Sequence, residues 1–148
     1  MTGLDTTVLV AYELREVEGH GRIRRTIQDL SRAGQARFML APQVLQEFLH
    51  VTTDPRRFEK PLSFAEALAR ARFWRESVDV TSCYPTARSE ALALDWMGDF
   101  QLGRKRILDT SLAAVYHVHG VRRLATANPD DFSLFGVFEF EGWAMPPA

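Results

Sequence analysis

The chain opens with Leu4-Asp5-Thr6-Thr7-Val8-Leu9-Val10-Ala11, an apolar and β-branched run with one acidic residue near its start. Its pattern alone predicts a strand from Leu4 to Ala11, although a short strand followed by a helix fits the same residues. In the next segments, helical patterns alternate with short apolar runs. A helix is predicted over Ile23 to Leu30 and ends at Gly34, and Arg37 to Leu40 predicts a buried strand.

The remainder of the chain continues the alternation. Pro42 suits the first position of a helix that reaches about Thr52, and Ser63 with Glu66 has the spacing of a capping box. The other predicted elements are strands at Val78 to Tyr84, Val121 to Thr126 and Val137 to Phe140, and helices at Thr86 to Trp96 and Ile107 to His119. We therefore expect a single three-layer α/β/α domain over residues 1–148, with a mainly parallel sheet of about four to five strands.

The amino-acid composition limits the cellular compartment and the kinds of partner that can be expected. Lysine and arginine total 18, and aspartate and glutamate total 19, so the formal charge is −1 and any polyanion must be held by a local basic patch. Cys83 is the only cysteine, which excludes an internal disulfide and zinc sites built from several thiolates. The chain shows no secretory signal pattern and no long apolar stretch. We expect a cytoplasmic protein without a membrane segment.

Four acidic residues from distant segments are predicted to meet at one edge of the sheet. Ligands of such sheets bind beyond the carboxyl ends of the strands. Asp5 lies near the end of the first strand, and Asp131 follows the Val121 to Thr126 strand. Glu47 and Asp109 lie on helices whose N-termini face the same edge. Each acid alone has a simpler explanation, such as a favourable interaction of Asp109 with the helix dipole, but together they predict an acidic pocket.

An acidic pocket of this kind calls for a cation. Two unit charges about 4 Å apart repel by about 4 kcal/mol at an effective dielectric constant of 20. Oxygen ligands select a hard ion, so Mg²⁺ or Mn²⁺ is expected and the implied chemistry is phosphodiester hydrolysis. The histidines compete poorly as ligands, because His117 and His119 are two residues apart on a helix and point to different faces. No glycine-rich phosphate loop or nucleophile elbow is present in the sequence.

The order and spacing of four segments are more specific than any segment alone. These segments are Leu4 to Ala11, Val44 to Thr52 with Asp54 to Phe58, Leu108 to Ala114, and Leu124 to Phe132. In this arrangement the chain resembles PIN-domain nucleases, and within them the VapC toxins of bacterial VapBC toxin–antitoxin modules. The resemblance implies an α/β/α ribonuclease that uses Mg²⁺ or Mn²⁺, forms a homodimer and is inhibited by a cognate antitoxin. It also implies that the first strand ends at Asp5 and that a short helix follows.

The resemblance also assigns roles to individual residues. Asp5, Glu47 and Asp109 match the three core acids of the family, and Asp131 matches the fourth. Asp5 and Asp109 are expected to bind the metal. A hydroxyl such as that of Thr7 is expected to orient Asp5 or a metal-bound water. Some members of the family have Asp at the position of Asn128, so either Asn128 or Asp131 faces the metal.

The RNA substrate must be held by local positive charge, and two basic stretches are candidates. Arg56 and Arg57 follow the Glu47 helix, and Arg104, Lys105 and Arg106 precede Asp109. A free-standing PIN nuclease without an antitoxin and a catalytically silent interaction module are the alternative functions. A receiver-like or phosphatase-like domain fits poorly, because the first strand is not followed by an Asp-x-Asp pair.

Overall fold

Five short strands form one sheet in the computed structural model, which describes residues 1–147. The strands are β1 (Thr2–Leu4), β2 (Phe38–Leu40), β3 (Val80–Ser82), β4 (Arg123–Ala125) and β5 (Glu139–Phe140). Their order is β3-β2-β1-β4-β5, and every neighbouring pair is parallel. The first three strands extend the sheet in one direction and the last two in the other, so the strand order reverses between β1 and β4.

Seven α-helices within the described residues flank the sheet. They are α1 (Thr6–Glu13), α2 (His20–Arg32), α3 (Pro42–Thr52), α4 (Phe64–Glu76), α5 (Ala87–Asp99), α6 (Ile107–Val118) and α7 (Asp130–Ser133). Short 3₁₀ turns lie at Arg104–Arg106 and Gly142–Ala144. The expected three-layer α/β/α architecture with a parallel sheet is therefore confirmed. None of the helices at residues 1–147 is long and apolar enough to span a bilayer.

The opening run forms a strand and then a helix, which confirms the order that the resemblance implies, and the alternative of one strand from Leu4 to Ala11 is wrong. Strand β1 ends at Leu4, Asp5 has extended backbone angles, and α1 begins at Thr6. The four residues from Val8 to Ala11 are all buried. A helix enclosed on all sides shows no polar face, and its sequence then cannot be distinguished from that of a buried strand.

Helix boundaries follow the capping residues more closely than the apolar pattern. Ser63 and Glu66 form the predicted capping box at the start of α4, and Pro42 is the first residue of α3. Thr86 caps α5 through Ser89, but this helix continues past the predicted end at Trp96 to Asp99. All five strands are shorter than their apolar runs, because the first run continues into α1 and the other four extend into flanking turns and loops.

Tyr116 ties the helix α6 to the centre of the sheet. Its side chain is fully buried, and its hydroxyl donates to the carbonyl of Leu4 and accepts from the backbone N–H of Ala41. The ring lies directly against Gly3, where an added Cβ would come within 2.9 Å of Tyr116 Cδ2. Gly3 therefore allows the close approach between β1 and α6.

Replacement of Gly3 by alanine is expected to lower the free energy of unfolding by about 1–3 kcal/mol, because the new methyl group overpacks the Tyr116 ring. Gly21→Ala on α2 is the matched control, since a Cβ there meets nothing within 4 Å. That variant is expected to be as stable as the wild type or slightly more stable. Urea unfolding of the three proteins measures the difference, and equal midpoints for Gly3→Ala and the wild type would contradict the packing described.

Candidate active site

Asp5 lies at the point where the strand order reverses. Its backbone N–H donates to the carbonyl of Ala125 at the end of β4 (3.0 Å), which fixes Asp5 between the two central strands. Open α/β sheets bind their ligands in the crevice beyond the strand ends at this place. Asp5 is only 6% exposed, so its carboxyl group belongs to the floor of that crevice.

Two threonine hydroxyls orient the carboxyl group of Asp5. Thr7 Oγ1 donates to Asp5 Oδ2 at 2.9 Å, and Thr126 Oγ1 donates to the same oxygen at 2.7 Å. The hydroxyls are themselves held by the backbone, since the N–H of Ala127 donates to Thr7 and that of Asn128 donates to Thr126, both at 3.0 Å. Hydrogen bonds from the loop after β4 and from the first turn of α1 thus hold the side chain of Asp5 in one rotamer.

The four predicted acids lie close enough to one another to interact electrostatically, and we call this group the acid pocket, although neither cavity at Glu47 is lined by all four. Burial raises the pKa of Asp109 from 3.8 to about 6, and the charges of Asp5, Asp131 and Glu47 add to this effect, while Arg106 opposes it. Burial also raises the pKa of Asp5, with a contribution from Asp131, against the threonine hydrogen bonds that lower it. The pKa of Glu47 is raised by partial desolvation and by Asp5. The acid pocket therefore carries more negative charge than the positive charge of Arg106 offsets.

The donor set of this pocket suits a hard divalent cation that keeps water ligands. All four acids offer oxygen, which Mg²⁺ and Mn²⁺ prefer. Within residues 1–147, no three carboxylate, imidazole or thiol groups lie close enough together to enclose a metal ion by themselves. Magnesium in proteins usually takes one or two carboxylates and completes its shell with water and substrate phosphate. The acids therefore fit such an ion as partial ligands, and no closed cage is formed.

Asp131 and Asn128, the two candidates for the fourth position, differ in burial and in contacts. Asp131 lies in the first turn of α7, and its charge raises the pKa of both Asp5 and Asp109. Asn128 lies before that helix with an exposed side chain, and its carbonyl accepts from the N–H of Asp131 at 3.1 Å. The coupling to Asp5 and Asp109 is an argument for Asp131, and the choice between the two residues stays a prediction.

The five predicted RNA-binding residues fall into two groups. Arg56, Arg57, Arg104 and Lys105 are exposed, and the first two also pair with Asp54 at 3.6 and 3.5 Å. Arg106 differs, because it is half-buried and its guanidinium donates to the main-chain carbonyl of Asp131. It connects the segment before α6 to α7 and lowers the pKa of Asp109. Its placement suits the support of the acid pocket better than contact with a phosphate.

Sequence analysis missed Thr126 as a member of the site. The residue is completely buried and binds Asp5, as described above. The available signal was a hydroxyl directly after the buried strand Leu124-Ala125, at the same sheet edge as Asp5. A threonine in such a place is also compatible with the strand itself, because β-branched residues favour strands.

Two cavities meet at Glu47. One has a volume of about 470 Å³ and includes Thr6, Thr7 and Asn128 in its wall. The other, of about 250 Å³, includes Asp109 and His50. The exposed residue Glu47 therefore lines both cavities, and one of them also includes Asp109.

A family profile matches most of the chain. The PIN domain matches residues 4–136, so the chain belongs to the PIN-domain family, and the resemblance to PIN-domain nucleases is confirmed. The crystal structure of VapC20 of Mycobacterium tuberculosis, a toxin that cleaves the sarcin-ricin loop, has the same fold. The two chains superimpose with a TM-score of 0.71 at 23% identity, over 94% of this chain and 98% of that chain. Comparison with curated proteins gives no match.

Asp109→Asn is expected to stabilise the metal-free protein at neutral pH. The pKa of Asp109 is about 6 when folded and near 3.8 when unfolded, so the folded chain binds the proton more tightly. Stability therefore falls as the pH rises from about 4 to 6. At pH 7.5 the variant should gain about 1–2 kcal/mol in free energy of unfolding, with allowance for solvent screening.

The control is Asp95→Asn on the exposed surface of α5. Urea unfolding at pH 4, 6 and 7.5 in the presence of a chelator measures both variants. The advantage of Asp109→Asn should shrink toward zero at pH 4, whereas Asp95→Asn should follow the wild type throughout. An advantage that is independent of pH would show that the charge of Asp109 is not its source.

Proposed function

We propose that this PIN-domain protein is an endoribonuclease that depends on Mg²⁺ or Mn²⁺ and hydrolyses RNA phosphodiester bonds, with Asp5, Glu47, Asp109 and Asp131 as catalytic acids. The observation that carries the proposal is the coupling of these four carboxyl groups at the reversal of strand order. Groups with strongly raised pKa values in a cleft are typical of functional sites.

Asp5 and Asp109 are the residues proposed to hold the ion. Asp5 is fixed by two hydroxyls, and Asp109 lies in the first turn of α6 with its pKa raised to about 6. When bound, a divalent ion supplies charge neutralisation at the attacked phosphate and lowers the pKa of water. The raised pKa of Asp109 predicts that ion and proton compete for this carboxyl group, so metal affinity falls below about pH 6.

Glu47 is placed to handle the proton of the attacking water. Its carboxylate is exposed between the two cavities, and desolvation together with the charge of Asp5 raises its pKa. A carboxylate with a raised pKa is a better general base near neutral pH. Asp131 adds negative charge from α7. The hydrogen bond that Arg106 donates to the main-chain carbonyl of Asp131 holds this helix in place.

The exposed basic residues complete the proposed substrate site. Arg56 and Arg57 lie after α3, and Arg104 and Lys105 lie just before α6, so positive charge flanks the acid pocket from two directions. Contacts of this kind to phosphates fix the register of a nucleic acid strand without reading its sequence. The small net charge of −1 makes these local groups the main source of attraction for RNA.

The biological role proposed for this nuclease is that of a VapC-type toxin. The extent of the fold match to VapC20, over nearly the whole of both chains, supports this role. On this proposal the partners are an RNA substrate, a cognate antitoxin protein and a second copy of the chain, and the compartment is the cytoplasm. A free-standing PIN nuclease is the second candidate, since the acid pocket would be the same without an antitoxin.

The purified protein is expected to cleave RNA with Mg²⁺ or Mn²⁺ and to lose this activity in EDTA. Asp5→Asn should reduce the cleavage rate by at least about a hundredfold, because it removes a carboxylate that the ion needs. Asp95→Asn is the control, and it should retain full activity. Gel analysis of RNA cleavage, together with circular dichroism to verify folding, measures these effects. Undiminished cleavage in EDTA, or by folded Asp5→Asn, would overturn the proposed function.

The same pair of variants separates the toxin from a free-standing nuclease. Induced expression of a toxin should arrest bacterial growth, whereas Asp5→Asn at equal abundance should not. Active cleavage in vitro combined with normal growth during expression of the wild type would favour the free-standing nuclease.

A further inference from the structure

The larger of the two cavities beside Glu47 is lined by both apolar and polar side chains. Its apolar wall comes from α1, the end of α3 and the segment after it, and includes Val10, Val51 and Phe58. Its polar rim includes Thr6 and Asn128. With a volume of about 470 Å³, the cavity falls within the range of small-molecule sites.

We infer that this cavity binds one unstacked nucleotide of the RNA substrate, next to the cleaved phosphodiester, with the base against the ring of Phe58. The inference rests on the proposed function, because it places the nucleotide beside the acid pocket through their shared residue Glu47. Proteins that recognise single-stranded RNA commonly stack splayed-out bases on aromatic side chains.

A buried hydroxyl supplies an unused hydrogen-bonding group in the cavity wall. Thr6 is only 3% exposed, and its Oγ1 makes no hydrogen bond of normal geometry within residues 1–147, although it lies close enough to the carboxylate of Glu47 to lower the pKa of that group. Buried hydroxyls are nearly always paired, so an unpaired one in a cavity wall indicates a ligand or water that pairs with it. The edge of a base and the hydroxyls of a ribose both carry such groups.

Charge and structural support around the cavity also fit a nucleotide. Arg57 contributes a cationic group to the lining and is close enough to Glu47 to lower its pKa. Arg22 donates to the carbonyls of Trp143 (3.0 Å) and Met145 (2.7 Å), which holds the C-terminal segment in place as a further wall. The cavity therefore combines a phosphate-binding cation with a fixed boundary.

A peptide is a poorer match for this space than a nucleotide. Extended peptides commonly add to an exposed sheet edge. The edges of this sheet are β3 and β5, whereas the cavity lies beyond the ends of the central strands β1 and β4. No free strand edge is offered here, and the aromatic ring, the unpaired hydroxyl and the cation together match the parts of one nucleotide.

The test uses the wild-type chain with the four nucleoside 5′-monophosphates as probes, followed by methyl NMR of the valines. At least one nucleotide should shift the signals of Val10 and Val51. Phe58→Ala should weaken this binding about tenfold, as expected for loss of one base–aromatic stack, and Phe58→Tyr should restore it. Phe73→Ala is the control, because Phe73 is exposed on α4 and lines a different cavity.

A second variant guards against a folding defect in Phe58→Ala. Asn128 is exposed, so Asn128→Ala should keep the wild-type unfolding midpoint and weaken binding of the preferred nucleotide about threefold. In RNA cleavage, Phe58→Ala should raise KM about tenfold with a much smaller change in kcat, which a purely structural role would not produce.

The outcomes separate this inference from the proposed function. RNA cleavage with unchanged KM in Phe58→Ala, and no methyl shifts from any nucleotide, would overturn the nucleotide site and leave the nuclease in place. Methyl shifts from nucleotides without any RNA cleavage would support the site and overturn the proposed function. Shifts from an arginine-containing decapeptide but from none of the nucleotides would also overturn the inference and assign the cavity to a protein partner.

Discussion

The burial of Asp5 between the ends of β1 and β4 is the constraint on which the rest of the site depends. A carboxylate in this position is costly unless it is hydrogen-bonded. The structure meets this requirement with Thr7 and Thr126, which come from the elements that follow the two central strands. Three further acids add repulsion to the same pocket. The fold must therefore hold these groups against a force that separates them.

Specific packing contacts and hydrogen bonds hold the acids together against this repulsion. Tyr116 joins α6 to β1 through its hydrogen bond to Leu4, and Gly3 leaves space for its ring. Asp109 and Tyr116 are seven residues apart on α6, two helical turns, so both lie on one face of the helix. The contact that anchors Tyr116 thus also directs Asp109 toward Asp5. Arg106 performs a similar task for α7, which carries Asp131.

The sequence predicted the features that depend on periodicity and on the edge of the sheet. Helices α3 and α4 began where expected, because Pro42 suits the first position of a helix and the Ser63–Glu66 capping box defines the start of α4. The opening run could not be resolved by pattern, because α1 is buried on all sides. The PIN-domain resemblance supplied the correct order of strand and helix there.

The details of the site depended on contacts that no pattern contains. Asp131 and Asn128 are equivalent candidates by sequence, and the effect of the Asp131 charge on Asp5 and Asp109 is apparent only in the fold. Arg106 belonged to a basic run in the sequence, but burial against the carbonyl of Asp131 gives it a different environment from Arg104 and Lys105. Thr126 was not predicted as a site residue, because its β-branched side chain is explained equally well by the strand that it follows. In each case a tertiary contact, and not a local preference, decides the role.

The central claim is that Asp5 and Asp109, which come from distant segments, hold a hard divalent cation within the group of four acids. The most direct measurement is a crystal structure of the wild type grown with Mn²⁺, with anomalous scattering used to locate the ion. The account predicts an anomalous peak within coordination distance of the carboxylate oxygens of Asp5 and Asp109, with water in the remaining positions. A fully formed pocket without such a peak at millimolar Mn²⁺, or a peak at another site alone, would contradict it.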